Sequence, residues 1–132
     1  MNLVEVFEKV MEKPRNIIIT LPKNISWEDY QLELEKVEDF TETMSFKVPH
    51  LPKGNIEKCY TVHNGFIKGW MKVTNIVDNL EFTCSTTGQT WSGKFIQRSG
   101  PFHYLDNEVP YKGGGFQSWR YFDENLLNIE NN

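Results

Sequence analysis

Basic and aromatic side chains alternate through the second half of the chain, and this mixture suits the binding of an anionic, aromatic ligand. The candidate ligand-binding residues are Lys68, Trp91, Lys94, Arg98, Ser99, Lys112, Trp119 and Arg120. The same stretch contains Trp70. Cations attract phosphate, and indole rings stack on unpaired bases, each stacked base contributing roughly 1–3 kcal/mol. The pattern favours a site for single-stranded RNA, a nucleotide or a modified base.

Two arginines are the expected phosphate ligands of this site, because a planar guanidinium suits a phosphate better than an ammonium does. Arg98 lies in one predicted strand, and Arg120 lies in the last one, which a glycine-rich loop with Lys112 precedes. If those strands are neighbours, the cations converge at one mouth of the sheet, beside Trp91 or Trp119.

Groups that would support catalysis or metal binding are sparse. Ser99 beside Arg98, with His103 four residues later, is the one local grouping with a nucleophile, and Ser99-Gly100-Pro101 is also typical of a simple turn. The cysteines and histidines lack the spacing of a zinc site, so no metal or other cofactor is expected. No pair of carboxylates has the spacing of a hydrolase. Binding is therefore favoured over catalysis, and enzymatic activity stays an open question.

Charge is unevenly distributed along the 132 residues, whose formal net charge is -4. Residues 1–42 hold five Lys/Arg against ten Asp/Glu, residues 43–122 hold nine against five, and residues 123–132 hold none against three. A basic central stretch inside an acidic chain indicates an anionic partner for the centre.

Length and composition indicate one domain over residues 1–132. No apolar run approaches the roughly 18–20 residues of a membrane span, and the first residues lack the features of a signal peptide. Cys59 and Cys84 are the only cysteines, and without an export signal they are expected to be free thiols. The prediction is a cytoplasmic protein that does not insert into a membrane.

The first 42 residues carry helical patterns. Apolar residues at helical spacing over 3–11 predict a first helix, which Pro14 ends. A short β-branched run predicts a strand over 16–20. Ser26, with an acidic residue three positions on, resembles a capping box and predicts a second, amphipathic helix over 26–39 with an acidic outer face.

Asn64-Gly65 lies between two alternating runs, 59–63 and 66–74, and predicts a two-residue type I′ hairpin turn. The expected cross-strand pairs are His63 with Phe66, Val62 with Ile67, Thr61 with Lys68, and Tyr60 with Gly69. One face is expected to form the core, through Tyr60, Val62, Ile67, Met71 and Val73. The opposite face is expected to carry Cys59, Thr61, His63, Lys68 and Trp70.

Further strands are predicted over 44–48, 79–84, 91–98, 102–105 and 116–122. Residues 99–101 are expected to turn, 102–105 to form an edge, and the polar tail 123–132 to fray. The predicted fold is α+β: a curved antiparallel β-barrel over 43–122, with two N-terminal helices from 1–42 packed on it.

The hairpin from Cys59 to Trp70 resembles the strand–turn–strand core of PUA-like domains, and 93–102 with 116–122 look like their closing strands. The ASCH branch, in small bacterial or phage proteins, is the most similar. The resemblance covers residues 43–122 and implies a cleft beside the barrel that binds RNA or modified bases; a few ASCH proteins are hydrolases or nucleases. The ASCH pattern of Gly, Lys, an acid and Arg is not matched, because Met71 and Lys72 follow Lys68 where the acid and Arg would stand.

Three functions follow from these patterns. The first is a module that binds RNA, a nucleotide or a modified base. The second is an ASCH-type hydrolase or ribonuclease acting on RNA or a modified nucleoside. The third is a phage or mobile-element protein that inhibits a host protein through the acidic helix 26–39.

Overall fold

Alternating apolar residues build six strands in the part of the chain that this computed structural model describes, residues 14–84, 87–114 and 118–130. The strands are β1 (Arg15–Thr20), β2 (Met44–Val48), β3 (Ile56–His63), β4 (Phe66–Thr83), β5 (Thr90–Pro110) and β6 (Trp119–Phe122). The same ranges contain helix α1 (Trp27–Lys36) and helix α2 (Asn125–Glu130). Neither helix is long and apolar enough to cross a membrane.

The strands form one sheet in the order β2-β5-β4-β3-β1-β6. All neighbouring strands are antiparallel except β1 and β3, which run parallel. The prediction of an antiparallel sheet is therefore wrong: the sheet is mixed. The chain crosses over through α1 and β2 between β1 and β3, and a connection of that length is what a parallel pair requires.

The sheet curls until its two edges approach each other, in the shape of a half-barrel. Trp119 of the edge strand β6 packs in the same core cluster as Val48 of the opposite edge strand and Ile96 of β5. Its indole Nε1 donates to the carbonyl oxygen of His50, just after β2, over 2.9 Å. The edges are thus joined through the segment that follows β2. This confirms the α+β class and the barrel-like curvature in their broad form.

Both faces of the sheet centre are buried. Ile17 and Ile19 point to one face, Ile18 points to the other, and all three are fully buried. Helix α1 covers part of the first face, and Leu127 of α2 packs against the second. Thr61, predicted on an exposed face, is also fully buried, so the assignment of one solvent face to this hairpin is wrong.

The Asn64-Gly65 turn is confirmed, with φ of 51° and 81° at its two residues. The two pairs next to the turn are those predicted. Beyond them Lys68 is an extra residue in β4, so that Thr61 lies opposite Gly69 and Tyr60 opposite Trp70. The two predicted pairs beyond the turn are therefore wrong, because turn chemistry fixes register only as far as the first bulge.

β4 and β5 are each longer than predicted. Residues 79–83 continue β4 past a register shift, with Asn79 at a φ of 61°. Residues 99–101 do not turn but lie inside β5, where Gly100 has a φ of 93°. Residues 102–105 are likewise an inner part of β5 that pairs with β4, not an edge. Bulges let these strands bend without ending, which a turn-like sequence does not reveal.

The remaining elements divide into confirmed and corrected ones. The second predicted helix is confirmed, and the hydroxyl of Ser26 accepts from the backbone N–H of Asp29 over 3.1 Å. The first predicted helix lies outside the described residues. The tail does not fray throughout, because α2 forms there and Leu127 contacts the core of the second face.

Gly69 offers a test of the close approach between β4 and β5. A Cβ at Gly69 would overlap the carbonyl oxygen of His103 and come within 2.6 Å of the Phe102 ring. We expect Gly69→Ala to lower the free energy of unfolding by roughly 1–3 kcal/mol, as overpacking does, measured by urea denaturation. Ser92→Ala, at an exposed position of β5, is the control and should change it by less than about 0.5 kcal/mol. Equal unfolding midpoints for both variants would contradict such a close approach of the two strands.

Candidate functional site

Two of the residues predicted to bind a ligand are buried and occupied by the fold. Arg98 is 3% exposed, and its Nη1 donates to the hydroxyl of Tyr30 over 2.9 Å. Ser99 is 2% exposed, and its hydroxyl donates to the carbonyl oxygens of Val37 and Glu42 over 3.4 and 2.6 Å. Both side chains fasten α1 and the segment after it to β5, and their polar groups are engaged by these contacts.

The thiol of Cys59 lies in the same interior as Arg98. Burial raises the pKa of Cys59 to about 11, although the guanidinium of Arg98 acts against this rise. The thiol is therefore protonated at neutral pH and is not a nucleophile in the folded protein. Both cysteines are free thiols in the structure.

Two predicted lysines are already paired with carboxylates. Lys68 pairs with Glu108, and Lys94 pairs with Asp78 over 3.0 Å. Trp119 is 9% exposed and belongs to the core that joins the sheet edges. Lys68, Lys94 and Trp119 therefore stabilise local structure.

The other three predicted residues are exposed, and Trp91 lies in a different part of the fold from Lys112 and Arg120. Trp91 is 38% exposed and lines a groove of about 490 Å³ beside β2. Arg120 donates to the carbonyl oxygen of Gly113, in the loop that also holds Lys112. β5 and β6 are not neighbours in the sheet, so the condition for a convergence of cations is not met. The eight residues do not form one site.

A different surface brings aromatic and charged groups together, across β3, β4 and β5. An open groove of about 410 Å³, here called the indole groove, is lined by Phe40, Glu57, Trp70, Lys72, Ser99, Pro101 and His103. The rings of Trp70 and His103 are stacked, with centroids 4.0 Å apart and planes 15° apart. The ammonium of Lys58 lies 4.6 Å from the centroid of the same indole.

Strand register explains how these groups meet. Trp70 of β4 lies directly opposite His103 of β5, and directly opposed side chains are in reach of each other. Two residues after Trp70 in β4, Lys72 lies directly opposite Lys58 of β3. Like charges in that position destabilise a sheet. Lys58 is paired with Glu124, whereas the ammonium of Lys72 has no carboxylate or hydrogen-bond partner among the described residues.

Phe40 forms the rim of the indole groove in a strained conformation. Its φ is 67°, which is unfavourable for a bulky residue by about 1–3 kcal/mol, and the residue is 56% exposed. The ring lies against Gly100, where a Cβ would collide with it. The N–H of Gly100 donates to the carbonyl oxygen of Val37 over 2.8 Å. The structure thus holds an aromatic ring at the groove although neither burial nor backbone preference favours that position.

Glu124 fixes the position of Lys58. Its Oε2 accepts from the ammonium of Lys58 over 3.0 Å and from the hydroxyl of Tyr60 over 2.8 Å. These hydrogen bonds, that of Lys58 first, hold the pKa of Glu124 below its ordinary value. Burial, and then the carboxylate of Glu124, raise the pKa of Tyr60. At neutral pH the carboxylate is ionised and keeps the ammonium over the indole.

The groove offers three kinds of contact to a ligand. Its rings present flat apolar surface, Lys72 supplies a positive charge, and the carboxylate of Glu57 accepts hydrogen bonds. The described residues contain no cluster of three side chains able to hold a metal ion. Sequence reasoning included Trp70 in its pattern but missed Lys72 and did not connect His103 with Trp70. The bulges of β4 set that pairing, and no local signal in the sequence marks them.

Comparisons with protein-family models, with curated proteins and with solved structures found no match to this chain. They therefore identify neither a PUA-like nor an ASCH domain. The function has to be inferred from the groove itself.

Glu124 gives the site a pH dependence that can be measured. Its pKa is depressed in the fold, so its contribution to stability is present above the ordinary glutamate pKa and is lost as pH falls through the lower, folded value. We expect Glu124→Gln to lower the free energy of unfolding at pH 7 by about 1 kcal/mol or less, since the carboxylate is 42% exposed.

The difference between wild type and this variant should shrink as pH falls from about 5 to about 3. Urea denaturation across that range measures it. Glu33→Gln is the control, because Glu33 pairs with Lys36 in an exposed position. A difference that stays constant down to the lowest pH would contradict the role of the ionised carboxylate.

Proposed function

We propose that this protein is a binding module for a nucleotide or an unpaired base of RNA, with the indole groove as its site. The observation that carries the proposal is the unpartnered ammonium of Lys72 beside the stacked rings of Trp70 and His103. A base would stack against the ring surfaces of the groove and its phosphate would contact Lys72. Glu57 would accept a hydrogen bond from an exocyclic amino group of the base.

The energetic arrangement supports binding of an anion. The fold places Lys72 opposite a second lysine and supplies an acid only to that second lysine. A phosphate at Lys72 would relieve this repulsion and add a charge-assisted hydrogen bond. We propose that the resemblance to PUA-like domains reflects a base-binding cleft beside a curved sheet. We also propose a cytoplasmic location, which is compatible with the free thiols.

Hydrolysis of RNA is the second candidate, because Glu57 and His103 line the same groove and are the residue types of general acid–base catalysis. Binding ranks first because it needs only the rings and Lys72, which line the groove. Hydrolysis would also need Glu57 and His103 to be placed on either side of a scissile phosphate. Incubation of short RNA with the protein, followed by analysis of the products, separates the two functions.

The proposal predicts that Lys72 and His103 determine affinity. We expect Lys72→Ala to weaken binding of a nucleoside monophosphate or a short RNA about tenfold, the equivalent of one charged contact. It should also lower the salt dependence of RNA binding by about 0.7 in the slope of log K against log salt. His103→Ala should weaken binding by a similar factor through loss of stacking, without changing that slope. Calorimetric titration at low salt measures these effects.

Lys94→Ala is the matched control, since Lys94 is a β5 lysine already paired with Asp78 and does not line the groove. It should bind like wild type. Equal weakening by Lys72→Ala and Lys94→Ala would show nonspecific attraction by net charge and overturn the site. No binding by wild type of any nucleotide or short RNA would overturn the function and leave a protein partner as the better hypothesis.

A further inference from the structure

The groove of about 490 Å³ beside β2, here called the Trp91 groove, resembles the indole groove in its chemistry. Trp91 supplies an indole that is 38% exposed, and the buried Phe95 lies in the same lining. Lys47 and Ser45 contribute to the lining from β2. The Trp91 groove thus combines an accessible aromatic ring with a lysine and a hydroxyl.

The side chain of Lys47 lies across β5 at Gly93. A Cβ at Gly93 would come within 3.0 Å of Cε and 3.7 Å of Nζ of Lys47. The ammonium therefore lies over the strand between Trp91 and Phe95, which are two residues to either side of this glycine. Lys47 is exposed, and its ammonium has no carboxylate or hydrogen-bond partner among the described residues. Its charge is available to an anion in the groove.

Strand register places the Trp91 groove and the indole groove on the same face of the sheet. Ser45 lies opposite Gln97, whose Nε2 donates to the hydroxyl of Ser45 over 3.2 Å, so both side chains lie on one face. Side chains alternate along a strand, and Ser99, two residues after Gln97, therefore points to that face. Ser99 lies opposite Lys72, and both line the indole groove. Trp70 precedes Lys72 by two residues and shares the same face.

The two grooves also adjoin each other. Phe40 lines the indole groove and Thr43 lines the Trp91 groove, and their Cα atoms, three residues apart, are separated by at most about 11 Å. The hydroxyl of Ser99 donates to the carbonyl oxygen of Glu42 over 2.6 Å and holds this segment against β5. Along β5, Ser99 lines one groove and Phe95 the other, four residues or about 13 Å away. A ligand longer than one nucleotide therefore reaches from one groove to the other.

We propose that the Trp91 groove is a second base-binding subsite for the same RNA strand. One base occupies the indole groove, another stacks on Trp91, and a phosphate contacts Lys47. This inference rests on the proposed function and deepens it: the preferred ligand is a single strand of several nucleotides along β5, not a mononucleotide. Trp91 and Lys47 then contribute to binding of the strand and not to binding of a monophosphate in the indole groove.

Calorimetric titrations of a nucleoside monophosphate and of a six-nucleotide RNA test this inference. Trp91→Ala should weaken RNA binding about tenfold through the loss of one stacked base. It should leave the Lys72-dependent binding of the monophosphate unchanged. Trp91→Phe is the matched control, because it keeps an aromatic ring for stacking and should retain most of the affinity for RNA. Wild type should bind one RNA molecule per protein.

Lys47→Gln should weaken RNA binding and lower its salt slope by about 0.7, without effect on the monophosphate. Lys94→Ala is the control for charge. Lys94 is paired with Asp78, and alternation along β5 places it on the opposite face from its neighbour Phe95. Equal effects of these two variants on RNA binding would overturn the second subsite.

Cys84 reports directly on the Trp91 groove, because it belongs to the lining while Cys59 is fully buried. Bound six-nucleotide RNA should slow the alkylation of Cys84 in the folded protein. Unchanged alkylation in the complex, two RNA molecules per protein, or wild-type RNA affinity in Trp91→Ala would overturn the inference.

Loss of monophosphate binding in Trp91→Ala would show that Trp91 acts through the fold and would overturn the inference as well. If wild type still binds the monophosphate with Lys72-dependent affinity in any of these cases, the proposed function stands without the second subsite. Absence of binding of either ligand by wild type would overturn both.

Discussion

Register shifts in the long ladder between β4 and β5 determine the shape of the sheet and the pairing of Trp70 with His103 in the indole groove. The ladder changes register at four places, between Ile67 and Gly69, Trp70 and Lys72, Val73 and Asn75, and Val77 and Leu80. Each bulge bends the strand and increases its twist. A regular ladder of this length would be flatter and would leave the sheet edges apart. The bend instead brings Trp119 to His50 and encloses a core on the inner face.

The second requirement of the site is the attachment of α1. Tyr30 of this helix accepts from the buried guanidinium of Arg98, and the segment after the helix is bound to Ser99 and Gly100. A buried guanidinium is costly unless it is hydrogen-bonded, so this contact ties the helix to one place on the sheet. Phe40 lies in the segment after α1, so the same contacts place its ring at the rim of the indole groove. Arg98, which the sequence patterns assigned to phosphate binding, thus holds α1 in position against the sheet.

Local chemistry in the sequence predicted local structure well. Asn64-Gly65 requires positive φ at both residues and so identifies its turn, and Ser26 marks the start of α1 through its cap. Long-range features were missed. Nothing near Lys68 signals the bulge that shifts the hairpin register, and Ser99-Gly100-Pro101 has turn chemistry although β5 continues through it. The sequence could not show which cations face outward, because that depends on register and not on residue type.

The pairing of β1 has a consequence for the order of folding. This strand lies between β3 and β6, and Ile19 pairs with Trp119, about 100 residues further along the chain. During synthesis the apolar run of β1 emerges long before its second neighbour exists. The backbone edge of β1 that pairs with β6 therefore stays exposed until β6 is added. Contacts between such distant segments slow folding, and β6 completes the pairing of β1 last. A nascent chain without β6 therefore has an unpaired strand edge that can pair with other chains and aggregate.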